Sequence, residues 1–168
     1  MASQSQLTGS GMLVKHLSVE SFCTLGVGKW LNDEIINHFV EKWCSQSRVR
    51  ATLGLNTWFS CRHMFQDNRC LLARRAMKQE DERLVERWCR SAAKQQGVSG
   101  NWERIFIPIN ENNTHWYSAC INFESKRIDI YDSLREVYLD NERKPTEDKK
   151  NFGTMQVCSI EGYGCQPL

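Results

Sequence analysis

The stretch RIFIPINENNTHWYSACINFESKRIDIYDSL, residues 104–134, decides the fold. Within it apolar side chains recur at every second position: Ile105, Ile107 and Ile109, then Tyr117, Ala119, Ile121 and Phe123, then Ile128 and Ile130. A period of two marks a strand with one buried face. Short polar turns, ENNT and ESK, separate the runs, as in hairpins. The stretch therefore predicts a three-stranded antiparallel meander.

Register follows from pairing apolar against apolar, because a one-residue slip would turn one strand's whole set to the other face. A four-residue connection, Phe123 to Lys126, pairs Ile121 with Ile128, Ala119 with Ile130 and Tyr117 with Asp132. His115 then lies diagonal to Asp132 on the same face, with Cα atoms about 7 to 8 Å apart, a span two side chains can close. A two-residue connection keeps the parity but slides His115 further away. An imidazole held by a carboxylate is oriented and made more basic, as the general base for a nucleophile must be. Standing alone, a histidine at a strand start is more often a surface or interface residue.

Upstream the period changes to 3.6. Leu31, Ile35, Ile36, Phe39, Val40 and Trp43 recur at steps of three and four, predicting an amphipathic helix over Leu31 to Cys44, with Asn32 as its cap. Asp33 and Glu34 fall in its first turn, where exposed amides favour negative charge. A second helix is predicted from about Leu71 to Gln96, with a stripe of Met77, Leu84, Val85, Trp88, Cys89 and Ala92 and a stop at Gly97. Helices followed by an antiparallel sheet make an α+β domain. Residues 1–11 read as a disordered leader and 12–168 as the domain. The polar segment Asn141 to Lys150 reads as a loop, and residues 151–168 show no clear period.

Composition fits one globular domain. The chain has 168 residues, 40% of them apolar and 25% charged, with three prolines and ten glycines. Its 22 Lys and Arg against 20 Asp and Glu leave a charge of +2, too balanced to suggest a nucleic-acid surface. There is no apolar run of membrane-spanning length and no signal-peptide pattern, so a soluble intracellular protein is expected. Eight cysteines, at 23, 44, 61, 70, 89, 120, 158 and 165, contain no CxxC pair, which argues against zinc and against a disulfide framework. Neither a metal nor another cofactor is expected. Trp30, before the first helix, and Trp116, after the histidine, read by themselves more readily as core or rim packing than as site residues.

Four segments together carry a resemblance. GKWLNDEIINHF at 28–39, IFIPIN at 105–110, HWYSACINF at 115–123 and IDIYDSL at 128–134 resemble, in order and spacing, the SUMO-processing (sentrin/ubiquitin-like modifier) cysteine protease family. NTWFSCRHMF at 56–65 is similar, more loosely, to the family's aromatic loop-and-strand region. The resemblance implies a papain-like cysteine protease fold, here short at its C-terminal end. It implies a peptidase or isopeptidase that cuts after the C-terminal Gly-Gly of a SUMO-like modifier, maturing a precursor or releasing the modifier from a lysine. The partner it implies is such a modifier and its conjugates, bound by a monomer in the nucleus or cytoplasm.

Residue roles come from the same resemblance. His115 matches the family's base, Asp132 its orienting acid, and Trp30 and Trp116 the two tryptophans that roof a channel for the Gly-Gly tail. Such a channel is the physical solution to a tail without side chains, since selectivity then comes from excluding anything larger. Asp33 joins the substrate-binding residues. SIEGYGC at 159–165 aligns Cys165 with the nucleophile, although Gly164, Gln166 and Ser159 stand where the family has Asp, Gly and the oxyanion-binding Gln. Gln156, three residues early, is the nearest candidate for the oxyanion role. The alternative is a catalytically inactive relative that holds a ubiquitin-like modifier without cutting it.

Overall fold

A computed structural model describes residues 17–46, 52–65, 78–98 and 102–144. The expected leader, the start of the second helix at 71–77 with Met77, and everything from 145 onward, including Gln156 and Cys165, lie outside the described residues. The described part is an α+β arrangement of helices and one sheet.

The meander is present as read. Strands β2 (Arg104–Glu111), β3 (His115–Asn122) and β4 (Arg127–Asp132) run antiparallel in turn. Ile121 pairs with Ile128, Ala119 with Ile130 and Tyr117 with Asp132, the register that apolar matching requires. Ile105, Ile107, Ile109, Tyr117, Ala119 and Ile121 all point into one buried cluster. Each such burial removes a side chain from water at a gain of roughly 1.5–3 kcal/mol, so a register slip on this face is strongly opposed.

The sheet is larger than the meander. A fourth strand, β1 (Thr52–Gly54), pairs parallel to β2, so the sheet is mixed and ordered β1-β2-β3-β4. Three residues are too few to show a period, which is why the sequence offers no strand there. Gly54 faces a neighbouring helix so closely that an added Cβ would lie 2.5 Å from Val40 Cγ1 and 2.7 Å from Cys44 Sγ. The free edge of β1 is closed by Gln96, whose amide accepts from the Gly54 N–H at 3.0 Å and donates to its carbonyl at 2.6 Å. That blunts an edge that would otherwise be open to another strand.

Five helices surround the sheet within the described residues. The first, α1 (Val19–Cys23), is a short helix that the sequence did not announce. Helix α2 (Asp33–Gln46) matches the first predicted helix, and Asn32 caps it by accepting from the Ile35 N–H at 3.1 Å. Residues 56–65, expected as loop and strand, instead form α3 (Thr57–Phe59) and a π-turn over Ser60–Met64. Asn56 caps α3, and the wide turn lets Phe59, His63 and Met64 all reach the core.

Helix α4 (Gln79–Gln96) is the second predicted helix in its described part, with Val85, Cys89 and Ala92 buried and Gly97 ending it at φ 66°. Finally α5 (Arg135–Glu142) runs into the segment expected to be a loop from Asn141. Asn141 is buried within its last turn, so helix burial overrides the polar composition there.

Candidate active site

Two turns place the histidine. Between β2 and β3, Asn112 and Asn113 adopt φ 51° and 56°, a left-handed conformation that asparagine tolerates better than most residues. Thr114 N–H donates to the Glu111 carbonyl at 3.0 Å, and the hairpin pairs Glu111 with His115. Between β3 and β4, Lys126 takes φ 50° and Asn122 Oδ1 accepts from Ser125 N–H at 3.1 Å. This is the four-residue connection, and it sets Tyr117 opposite Asp132.

His115 is thereby diagonal to Asp132, and the two meet. Nε2 of His115 lies 2.7 Å from Oδ1 of Asp132. The imidazole is 9% exposed and the carboxylate 1% exposed, so water competes little for the bond. Oδ1 also accepts from the Leu134 N–H at 2.9 Å, which holds the carboxylate from the strand's end. Tyr117, two residues along the same face, stacks its ring at 5.9 Å and 22° to the imidazole. Alternation along β3 already places Tyr117 beside His115; the Leu134 amide carries no sequence signal.

This geometry assigns the two ring nitrogens. A carboxylate accepts only, so the neutral ring carries its proton on Nε2 and leaves Nδ1 as the acceptor. Nδ1 can therefore take a proton from a thiol or hydroxyl brought to it, while Asp132 stabilises the imidazolium that forms.

Trp116 ties the loop carrying Trp30 to the same strand. Trp116 Nε1 donates to the Leu31 carbonyl at 2.9 Å, across 85 residues of chain. The loop before α2 is thus tied to the residue next to His115. Trp30, immediately before Leu31, is 65% exposed and unencumbered by core packing. Asp33 is half-buried in the first turn of α2.

Among the described cysteines, Cys23 is exposed, Cys61 and Cys120 are half-buried, and Cys44 and Cys89 are buried. Burial, with a smaller contribution from Cys120, pushes the Cys44 thiol up to about 11. Cys120 is raised as well, chiefly by burial and then by Asp129, with Arg104 opposing. Both are therefore poor thiolates at neutral pH. Among the described residues no group of three or more His, Cys, Asp or Glu side chains could hold a metal, and no helix is long and apolar enough to cross a membrane.

The chain is similar to known proteins over most of its length. The family model described as the Ulp1 protease family, C-terminal catalytic domain, matches residues 29–155. Ubiquitin-like-specific protease 1 of Saccharomyces cerevisiae is 29% identical over 119 residues, which is 71% of this chain and 16% of that protein. The chain thus spans a small part of that relative's length. Two solved structures share the fold at 22% identity. SUMO protease Ulp1 with its catalytic cysteine oxidized to a sulfonic acid aligns with a TM-score of 0.52 over 90% of this chain and 75% of that one. The sulfinic acid form of the same protease aligns with a TM-score of 0.51 over 90% of this chain and 74% of that one.

Proposed function

This chain belongs to the Ulp1 protease family, and from that membership we propose that it is a cysteine peptidase acting after the C-terminal Gly-Gly of a SUMO-like modifier. The observation that carries the reading is the buried 2.7 Å contact between His115 Nε2 and Asp132 Oδ1, which frees Nδ1 to serve as base. Cys165 is the proposed nucleophile, for which the raised thiols of the buried Cys44 and the half-buried Cys120 are unsuited.

The chemistry runs in two halves. Nδ1 of His115 takes the thiol proton of Cys165, and the thiolate attacks the carbonyl carbon of the terminal glycine. Gln156 donates a hydrogen bond to the oxyanion. The imidazolium returns its proton to the departing amine, leaving a thioester between Cys165 and the modifier. His115 then deprotonates water, which attacks the thioester, and the proton returns to sulfur as the modifier's carboxylate leaves.

Substrate selection rests on the tail. Trp30 and Trp116 roof a channel that admits glycine and excludes larger side chains, and Asp33 contacts the modifier beyond it. Both precursor maturation and isopeptide cleavage present the same tail, so this reading covers either reaction. The protein works as a monomer over residues 12–168, in the nucleus or cytoplasm.

The test is covalent capture. A SUMO ending in Gly-Gly with a C-terminal electrophile should become attached to the full chain, and Cys165→Ala should abolish the adduct. No adduct at high probe concentration would overturn the peptidase reading. Tight reversible binding without an adduct would instead identify a modifier-binding relative.

A further inference from the structure

The loop between α1 and α2, Thr24 to Leu31, is an unusual piece of surface. Leu25, Val27, Trp30 and Leu31 are all exposed along it, so little apolar burial fixes its path. Backbone turns, including Lys29 N–H to the Gly26 carbonyl at 3.2 Å, shape its course, and side chains tie both of its ends. At one end, the Leu31 carbonyl accepts from the Trp116 indole at 2.9 Å. At the other, a buried hydroxyl gathers three polar side chains.

That hydroxyl belongs to Ser21, which is 1% exposed although α1 itself is mostly solvated. Ser21 Oγ donates to Glu34 Oε2 at 2.5 Å, accepts from Asn32 Nδ2 at 2.7 Å and lies 2.8 Å from Ser18 Oγ. Ser18 Oγ also donates to Glu34 Oε2 at 3.2 Å, so the bonds that the Ser21 hydroxyl itself supplies are those to Glu34 and Asn32. It joins α1 to the cap residue and first turn of α2, closing the base of the loop.

We infer that Ser21 is a positioning residue that acts through Asn32 and Glu34 to fix the loop presenting Trp30 to a modifier's Gly-Gly tail. The inference rests on the tail-channel reading of Trp30 and Trp116. Along the chain Trp30 lies between Ser21 and Leu31, one residue before Leu31 and two before Asn32. Without the Ser21 hydroxyl, one anchor is lost and the indole samples orientations that leave the channel open.

The test uses the full chain with 5-fluorotryptophan, the Trp30 fluorine resonance being assigned by Trp30→Phe, and equilibrium titration with SUMO ending in a free Gly-Gly. Ser21→Ala should weaken binding by about five- to tenfold, the scale of one or two lost hydrogen bonds. It should also shift or broaden the Trp30 resonance while leaving that of Trp88, in the core, in place. In a Trp30→Ala background, Ser21→Ala should cost nothing further, because the two act as one unit. Additive losses would overturn the inference. If Ser21→Ala fails to fold, Glu34→Ala, at an exposed position, removes the acceptor and should move the same resonance. Should wild type not bind SUMO at all, the channel reading fails by itself. An unmoved Trp30 resonance in both variants would overturn the positioning role separately.

Discussion

His115 and Asp132 touch across two strands, with Nε2 and Oδ1 2.7 Å apart and the residues 17 positions apart in sequence. The contact depends on the β3–β4 register, because a shift of one pair would turn the carboxylate to the other face. It also depends on the Leu134 amide, which fixes Asp132 independently of the ring.

The first prediction concerns this contact. Asp132→Ala removes the acceptor that selects the tautomer and stabilises the imidazolium. Cleavage of a SUMO C-terminal amide should fall by roughly 10²–10⁴ in kcat, while affinity for the uncleaved Gly-Gly tail changes little. Steady-state kinetics beside equilibrium binding would check it. An equal loss in both would mean that Asp132 only supports the fold.

Much of this was legible in the sequence, for a physical reason. Burial alternates most clearly along β3, so alternation sets the strands and the parity of their register, and the four-residue connection then selects the His115 to Asp132 diagonal. Asn32 and Gly97 announce helix ends because capping and left-handed backbone restrict residue choice. Other features left no mark. The parallel strand β1 is three residues long, and the π-turn over Ser60–Met64 has a composition that fits a loop equally well. Bonds made by backbone groups, such as Leu134 N–H to Asp132 and Trp116 to the Leu31 carbonyl, are invisible to residue type. The roles of Cys165 and Gln156 rest on motif likeness alone, since neither lies among the described residues.

The second prediction separates thiols by environment. With its pKa pushed up to about 11 by burial, Cys44 carries almost no thiolate at neutral pH. Brief alkylation of the native chain should therefore mark the exposed Cys23 and leave Cys44 unmodified until denaturant is added. Peptide mapping by mass spectrometry reads both positions. Prompt native labelling of Cys44 would contradict the burial that rules it out as nucleophile.

A third prediction concerns acid. The Ser21 hydroxyl, then the Ser18 backbone and side chain, hold the Glu34 carboxyl below its ordinary value of 4.5. A lowered folded-state value means the contact stabilises the native state above the unfolded value and is lost as pH falls through the folded one. Stability of wild type should thus drop between neutral pH and the acid side of 4.5 by more than that of Glu34→Gln, which has no charge to lose. Urea denaturation midpoints at matched salt provide the comparison. Parallel pH profiles would show that the contact is screened by solvent at this exposed position.

The last prediction comes from the close approach of α2 to β1. A methyl at position 54 would sit 2.5 Å from Val40 Cγ1 and 2.7 Å from Cys44 Sγ, closer than carbon and sulfur allow. Gly54→Ala should cost about 1–3 kcal/mol, the usual penalty for overpacking. Val40→Ala alone leaves a void and also destabilises, but combined with Gly54→Ala it removes the nearer of the two clashes, the one with Cys44 Sγ remaining. The double variant should be more stable than the sum of the single losses requires, as measured in urea. The consequence reaches the site, because α2 is one rigid element whose first turn follows the Leu31 carbonyl bound by Trp116. A helix pushed outward at Val40 and Cys44 pivots that end, so Gly54→Ala should also weaken binding of a Gly-Gly tail and Val40→Ala should restore part of it. Additive stability losses, or tail binding indifferent to both changes, would break the link between this packing contact and the site.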